Sequence, residues 1–228
     1  MFATSRKLIQ STVLHPGFIF WPKFFSLQEQ CVLLAASLYR LDSTESRRAR
    51  KKREKHHPLS VKDSLSGSYA LGQLFAPDEL YEFQEGHYDG VIHNYREMHL
   101  AKWPTEEFPQ LQSSIDRLHS LCPTPDIQTH LLHLSSKGDI LPHIDNVAAS
   151  GNWILGVSLG DERILRLRGP DEAGAFDLNL PSGSVYLQRD SVRFKYKHSI
   201  DRLPHPHPAH QRLSIMIRDK PSHDLRPS

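Results

Sequence analysis

Two histidines and one aspartate of this chain have the types and the order of a metal-binding site. The segment LPHIDN places His143 and Asp145 two residues apart, and in a β-strand such residues point to the same face. His198, in the later segment RFKYKHSI, supplies a third candidate ligand. Two histidines and one carboxylate on one side of iron(II) leave its other positions open for an organic co-substrate and O2.

The His-x-Asp pattern is weak evidence when it stands alone. Fifteen histidines and fifteen aspartates in 228 residues give about one such pattern by chance, and the chain contains a second, His87-Tyr88-Asp89. Only the pattern at His143 lies in a strand-rich region and is followed by a distant histidine and a pair of arginines. We therefore predict the metal site at His143, Asp145 and His198, and interpret the His87 pattern as coincidence.

The segment RLSIMIRD predicts the co-substrate anchor. As a strand it places Arg212, Ser214, Met216 and Arg218 on one face and three aliphatic residues on the other. A planar guanidinium binds a carboxylate through two hydrogen bonds. One arginine could hold the far carboxylate of a dicarboxylic co-substrate, and the other could pair with Asp145 or the near carboxylate. The alternative is a pair of strand-end charges.

Tyr186, in the segment GSVYLQ, is a further candidate for the co-substrate site. Alternation places it on the strand face of Ser184 and Gln188. Its hydroxyl could donate to the co-substrate, and a tyrosine in an ordinary core is an equally good interpretation.

The elements that position these residues change in character along the chain. A capping-box pattern at Ser26 and Glu29 predicts a helix over 26–40, and Thr105 could cap a second helix that buries Phe108 and Leu111. From residue 126 the apolar period becomes two, which indicates a β-sandwich or barrel. The predicted strands are 127–134, 140–145, 152–159, 162–168, 175–180, 184–189, 192–197 and 212–218.

Length and composition restrict the function classes. A chain of 228 residues with 38% hydrophobic residues forms one domain. No apolar run approaches the roughly 18 residues that span a bilayer. Two distant cysteines, Cys31 and Cys122, argue against a disulfide scaffold and favour a reducing compartment. A net charge of +2 does not by itself indicate nucleic-acid binding.

We predict four regions. Residues 1–12 form a flexible N-terminus, either a mitochondrial targeting segment or an ordinary disordered end, and residues 13–220 form the domain. Within it, 42–68 is a basic, flexible insertion, with a nuclear address or an RNA-contacting arm as the alternatives. The HPHPAH tract at 205–210 is a loop before the last strand, and 221–228 is a tail.

The order HID, a distal His198 and RLSIMIR resembles the AlkB-like dioxygenases, with the mitochondrial AlkB homologue 7 branch most similar. The resemblance implies an α+β fold, with a double-stranded β-helix (jelly-roll) core and N-terminal helices packed on one face. It further implies Fe(II) as cofactor and 2-oxoglutarate as co-substrate, held by Arg212, Arg218, the intervening Ser214 and Tyr186.

Two departures from the base-repairing members bear on function. Their Asn-x-Tyr stretch corresponds here to Leu132-His133-Leu134, which removes co-substrate contacts and makes Tyr186 the substitute. Those members also use Asn and Thr between the two arginines, where this chain has Ser214 and Met216. In addition, no clear nucleotide lid precedes the strands, which weakens DNA repair as a function.

The resemblance implies a dioxygenase that uses O2 and 2-oxoglutarate to hydroxylate or demethylate a substrate, which we expect to be a protein. The first alternative is an RNA N-demethylase that contacts phosphates through Lys and Arg of 47–55. The second is a jelly-roll module that binds a metal without catalysis. We expect a monomer in the mitochondrion, with the cytoplasm or nucleus as alternatives.

Overall fold

The computed structural model describes residues 11–57, 71–147, 149–170, 174–202 and 210–220. Most of the predicted N-terminal segment, the second part of the basic insertion, nearly all of the HPHPAH tract and the predicted tail lie outside the described residues. The prediction that these segments are flexible is therefore not tested.

Within these ranges the chain forms four helices and eleven strands, with two short 3-10 turns at Leu71–Leu74 and Asp78–Leu80. The helices are α1 (Leu27–Asp42), α2 (Arg47–His56), α3 (Leu111–His119) and α4 (Asp190–Lys195). The strands are β1 (Thr12–His15), β2 (Phe18–Trp21), β3 (Gln84–Gly86), β4 (Ile92–Leu100), β5 (Ile127–His143), β6 (Trp153–Gly160), β7 (Arg163–Arg168), β8 (Phe176–Leu180), β9 (Ser184–Arg189), β10 (Lys197–Ile200) and β11 (Arg212–Asp219). No helix in the described part of the chain is both long and apolar enough to cross a bilayer.

The strands form one antiparallel sheet in the order β1-β2-β9-β6-β11-β5-β10-β7-β8, with β4 on the free edge of β5 and β3 beyond it. Strand β5 joins the two halves of this sheet. One of its edges pairs with β11 over Ile127–Leu134, and the same edge pairs with β10 at Ile140 and His143. The sheet therefore curls around an interior, as the predicted jelly-roll core requires.

Two apolar cores lie on the two sides of the curled sheet. The outer core packs α1 and α3 against aliphatic residues such as Leu213, Ile215 and Ile217, all fully buried. The inner core lies inside the curled sheet and contains Leu132 and Leu134 of β5 together with leucines of β7 and β8. The prediction of N-terminal helices packed on one face is confirmed, as is the capping box that begins α1 at Ser26.

The predicted strand 192–197 is wrong. Residues 190–195 form the short helix α4, because Asp190 adopts φ 52°, in the left-handed region, and so ends β9. Strand β10 begins only at Lys197. The second helix also begins later than Thr105 suggested, at Leu111, although Phe108 and Leu111 are buried as predicted.

Part of the basic segment that we predicted to be a flexible insertion forms a helix. Residues Arg47–His56 form α2, whose first turn is capped by the Ser46 hydroxyl accepting from the Ala49 N–H at 3.2 Å. The buried Arg53 attaches the helix to the fold, with Nη2 at 2.9 Å from Asp42 and 2.5 Å from Glu45. The sequence does not reveal this attachment, because Arg53 is one of many cations in a run of charged residues.

Candidate metal centre and co-substrate site

The three predicted ligands meet at one end of the sheet interior. His143 is the last residue of β5 and pairs in register with His198 of β10, while Asp145 follows two residues after β5 ends. One candidate ligand atom from each lies within 4.8 Å of the others, and no other such group of three occurs among the residues that the structure describes. The Nε2 of His143 lies 2.9 Å from Oδ1 of Asp145. This geometry can hold a metal ion.

Two arginines fix the aspartate. The Nη2 of Arg218 lies 3.1 Å from Oδ2 of Asp145, which is one of the two pairings predicted for that arginine. Arg193 of α4 donates from Nη1 to the Asp145 carbonyl at 3.1 Å and from Nη2 to the Ser150 carbonyl at 2.8 Å. The buried Arg193 thereby holds the loop that carries the ligand. Sequence reasoning missed it, because it assigned this segment to a strand.

The electrostatics of the site suit metal ligation. Burial raises the pKa of Asp145, but the hydrogen bond from His143 and the charges of His198 and Arg218 together hold this pKa far below its usual range. Burial lowers the pKa of His198 to about 4. The Nδ1 of His143 lies 2.9 Å from the Leu141 carbonyl, and an N–H there directs Nε2 at the site. Burial lowers the pKa of His143, but its contacts with Asp145 and Leu141 raise it above the usual value, so a metal ion would displace a proton from Nε2.

Arg212 lies deeper in the same interior, and none of the described acidic residues pairs with it. It is 1% exposed, and its Nε donates to the Ser158 hydroxyl at 3.0 Å. No carboxylate in the described ranges lies within ion-pair distance of its guanidinium. Burial lowers the pKa of Arg212 to about 10, opposed by Tyr186 and assisted by the charge of Arg163. A buried cation of this kind is costly unless an anion joins it.

Hydroxyl groups surround Arg212. Ser158 of β6 pairs in register with Ser184 of β9, whose buried Oγ has no hydrogen-bond partner among the described residues. Tyr186, two residues along β9, is also buried, and burial raises its pKa. It lies opposite Gly156, where any Cβ would collide with the tyrosine ring. The sequence did not identify Ser158 or Ser184 as candidate site residues. Alternation placed Ser184 on the face of Tyr186 without suggesting a role for it, and nothing in the sequence singled out Ser158.

Ser214 lies on the same strand face as Arg212, opposite Ser158 on one side and Leu132 on the other. The stretch Leu132-His133-Leu134 gives this interior only the two leucines. His133 faces the outer core, where its Nδ1 accepts from Arg96 Nε at 2.9 Å. Burial and the Arg96 charge lower its pKa well below the usual value. The side chains that this stretch turns to the interior are therefore apolar.

The chain matches the 2OG-Fe(II) oxygenase superfamily over residues 17–218. It is 30% identical over 148 residues to the mitochondrial alpha-ketoglutarate-dependent dioxygenase alkB homolog 7 of Bos taurus, and 30% identical over 152 residues to that of Mus musculus. Each match covers 62% of this chain and 66% of the relative, so the chain spans slightly less than two thirds of these relatives.

Two solved structures share the fold. OsALKBH1 superimposes with a TM-score of 0.52 at 17% identity, covering 92% of this chain and 100% of that one. A Pseudomonas putida prolyl-4-hydroxylase superimposes with a TM-score of 0.50 at 12% identity, covering 90% and 93%. Identities this low support the jelly-roll fold and no statement about activity.

Proposed function

Because this chain belongs to the 2OG-Fe(II) oxygenase superfamily, we propose that it is an iron(II)- and 2-oxoglutarate-dependent dioxygenase whose metal is held by His143, Asp145 and His198. One observation carries the proposal. The three candidate ligands share the sheet interior with Arg212, a buried arginine without an acidic partner in the described residues.

The residues present fit both groups. Two imidazole nitrogens and one carboxylate oxygen are the donors of a facial iron(II) site, and Arg212 is a cation that requires an anion. When bound together with 2-oxoglutarate, the iron activates O2 to oxidise a C–H bond, giving hydroxylation or, at an N-methyl group, demethylation.

Each side chain has a separate task in this scheme. Arg212 binds the far carboxylate of 2-oxoglutarate, with the hydroxyls of Ser158, Ser184 and Tyr186 as further donors and Ser214 beside them. Arg218 occupies Oδ2 of Asp145, so that Oδ1 remains directed at the two histidines. Arg193 holds the Asp145 backbone in place.

We further propose a protein as the substrate, in the mitochondrion. The consecutive residues Arg96 and Glu97 of β4 point to opposite faces of the sheet, and Arg96 contacts Asp42 and Glu45 beside α2. The cations of 47–55 therefore lie behind the sheet that forms the site, which argues against their use as phosphate contacts there. The names of the two alkB homolog 7 relatives support the location.

Formation of succinate from 2-oxoglutarate under air, with added Fe(II), tests the activity. The double variant His143→Ala/Asp145→Ala should lose iron binding and succinate formation. The variant Asp116→Ala/His119→Ala on α3 removes the same two residue types and should keep both. Iron binding and turnover that survive the first double change would overturn the proposal. Iron binding without turnover, whatever candidate substrates are added, would favour the non-catalytic module.

A further inference from the structure

A group of acidic and imidazole side chains lies beside the metal centre and has no task in the scheme above. It consists of His87 and Asp89, which precede β4, Glu97 of β4 and His130 of β5. We call these four residues the acidic wall. His87 and Asp89 form the second His-x-Asp pattern of the sequence. In the structure these two residues belong to the acidic wall and not to the candidate metal centre.

The pairing of strands places the wall at the mouth of the site. His130 pairs with Met216 of β11, and Glu97 pairs with Leu132, so both share the sheet face that carries Arg212 and Arg218. The carbonyl of Val91 accepts from the Leu141 N–H at 2.8 Å. The segment that carries His87 and Asp89 thus lies against the end of β5, two residues before His143.

The wall keeps a negative charge. His130 Nε2 lies 3.1 Å from one Glu97 oxygen, and His87 Nε2 lies 3.8 Å from the other, while His87 Nδ1 is 2.7 Å from Asp89. The Nδ1 of His130 is buried with no hydrogen-bond partner in the described residues. Even a charged His87 would leave one of the two carboxylates uncompensated.

Arg218, which lies at the same end of the sheet, does not neutralise the wall, because its guanidinium is paired with Asp145. The Glu97 side chain is 25% exposed and that of Asp89 is 43% exposed, so a ligand can reach both carboxylates. Burial raises the pKa of Glu97, but the hydrogen bond from His130 holds it below its usual value, so this carboxylate is ionised at neutral pH. An accessible, partly desolvated anion beside the metal centre favours a cationic ligand.

We propose that the acidic wall binds a cationic side chain, arginine or lysine, of a protein substrate and so positions the peptide across the metal centre. This inference rests on the proposed function and names the substrate class of the same site. Guanidinium and ammonium groups carry only donors, and the wall presents carboxylate acceptors to them.

A cationic nucleobase fits the wall less well than a peptide side chain. A flipped base stacks between aromatic side chains. At the wall, His99 and His130 already stack on each other at 4.7 Å between centroids, and His87 lies tilted at 46° against Tyr88. The two carboxylates would also repel the phosphates that flank such a base.

The test uses four peptide libraries that share the same random flanking positions and differ in one central residue: arginine, citrulline, lysine or acetyl-lysine. Citrulline and acetyl-lysine keep the shape of the cationic residues but lack their charge. We expect the wild-type protein, loaded with Fe(II) and 2-oxoglutarate, to bind at least one cationic library about tenfold more tightly than its neutral counterpart. Glu97→Gln should abolish this preference, and Glu106→Gln, which removes an exposed carboxylate in the segment between β4 and α3, should keep it.

Equal binding of charged and neutral libraries by the wild-type protein would overturn the inference, and this comparison does not depend on any variant folding. Preferential binding of an oligonucleotide with a cationic methylated base would overturn it as well. Failure of the wild-type protein to bind iron and 2-oxoglutarate is a different result, because it contradicts the proposed function rather than the role of the wall.

Discussion

The guanidinium of Arg218 lies 3.1 Å from Oδ2 of Asp145, while Oδ1 of the same carboxylate faces His143 at 2.9 Å and His198 at 3.6 Å. The two oxygens are thus divided between a cation of β11 and the two imidazoles. Hydrogen-bonding partners of this kind orient a ligand before the metal arrives. Arg218 is therefore a positioning residue for the metal centre.

Arg218→Gln should weaken metal binding by about 10- to 100-fold, the usual effect of losing a partner of a metal ligand. Anaerobic calorimetric titration with Fe(II) measures the change. Arg202→Gln, which removes an arginine paired with Asp139 outside the site, should leave the affinity unchanged. Equal affinities in the wild-type protein and the Arg218 variant would contradict the positioning role.

Two buried arginines should respond oppositely to substitution by methionine. Arg212 has one hydrogen bond to Ser158, whereas Arg163 donates to four backbone carbonyls, including those of Gly138 and His210 at 3.1 and 3.0 Å. Arg212→Met should therefore not lower the free energy of unfolding without 2-oxoglutarate, because it removes an unpaired buried charge. Arg163→Met should lower it by more than about 2 kcal/mol, since buried carbonyls lose their donor.

The same Arg212→Met variant should lose about 100-fold in affinity for 2-oxoglutarate, which corresponds to roughly one or two charge-assisted hydrogen bonds. The rise in melting temperature on adding 2-oxoglutarate, present in the wild-type protein, should disappear. A variant that is strongly destabilised but still binds 2-oxoglutarate would assign Arg212 to the fold rather than to the co-substrate.

Gly156→Ala tests whether the position of Tyr186 matters for the co-substrate. A methyl group at residue 156 would overlap the tyrosine ring and force it to move, so the KM for 2-oxoglutarate should rise. Gly72→Ala introduces the same methyl group where no atom lies within 4 Å, and its KM should equal the wild-type value. An unchanged KM in the Gly156 variant would show that Tyr186 belongs only to the core.

Helix α2 should depend on one arginine. Arg53→Gln leaves Asp42 and Glu45 paired with Arg96 but removes the ion pairs that attach α2, and breaking a buried ion pair costs about 3–5 kcal/mol. Urea unfolding should show this loss, whereas Arg48→Gln, at an exposed position of the same helix, should change stability by less than about 0.5 kcal/mol. Similar small effects of both substitutions would contradict the anchoring role of Arg53.

The sequence indicates the metal triad and the arginine strand because most of their residues lie close together along the chain and follow one another in a recognisable order. His143 and Asp145 are two residues apart, Arg212 and Arg218 alternate with buried aliphatic residues, and the order of the segments excludes the His87 pattern. The curled sheet follows from the dense period of two after residue 126, although β5 is one strand of 17 residues where two were predicted.

The site features that could not be predicted from the sequence depend on contacts between segments that are distant along the chain. Ser158 and Ser184 become neighbours of Arg212 only through the pairing of β6 with β9 and β11. Arg193 and Arg53 look like solvated charges, yet one holds the Asp145 loop and the other anchors α2. A charge pattern read from sequence assumes that arginines are exposed, so it cannot predict that Arg193 and Arg53 are buried.

Crystals grown without oxygen, with Fe(II) and 2-oxoglutarate, would show both the metal and the co-substrate in one structure. Anomalous diffraction measured on both sides of the iron absorption edge locates the metal independently of the refined coordinates. We expect one iron peak bonded to His143, Asp145 and His198, with the far carboxylate of 2-oxoglutarate on Arg212. An iron peak on other residues, or 2-oxoglutarate bound away from Arg212, would contradict this expectation.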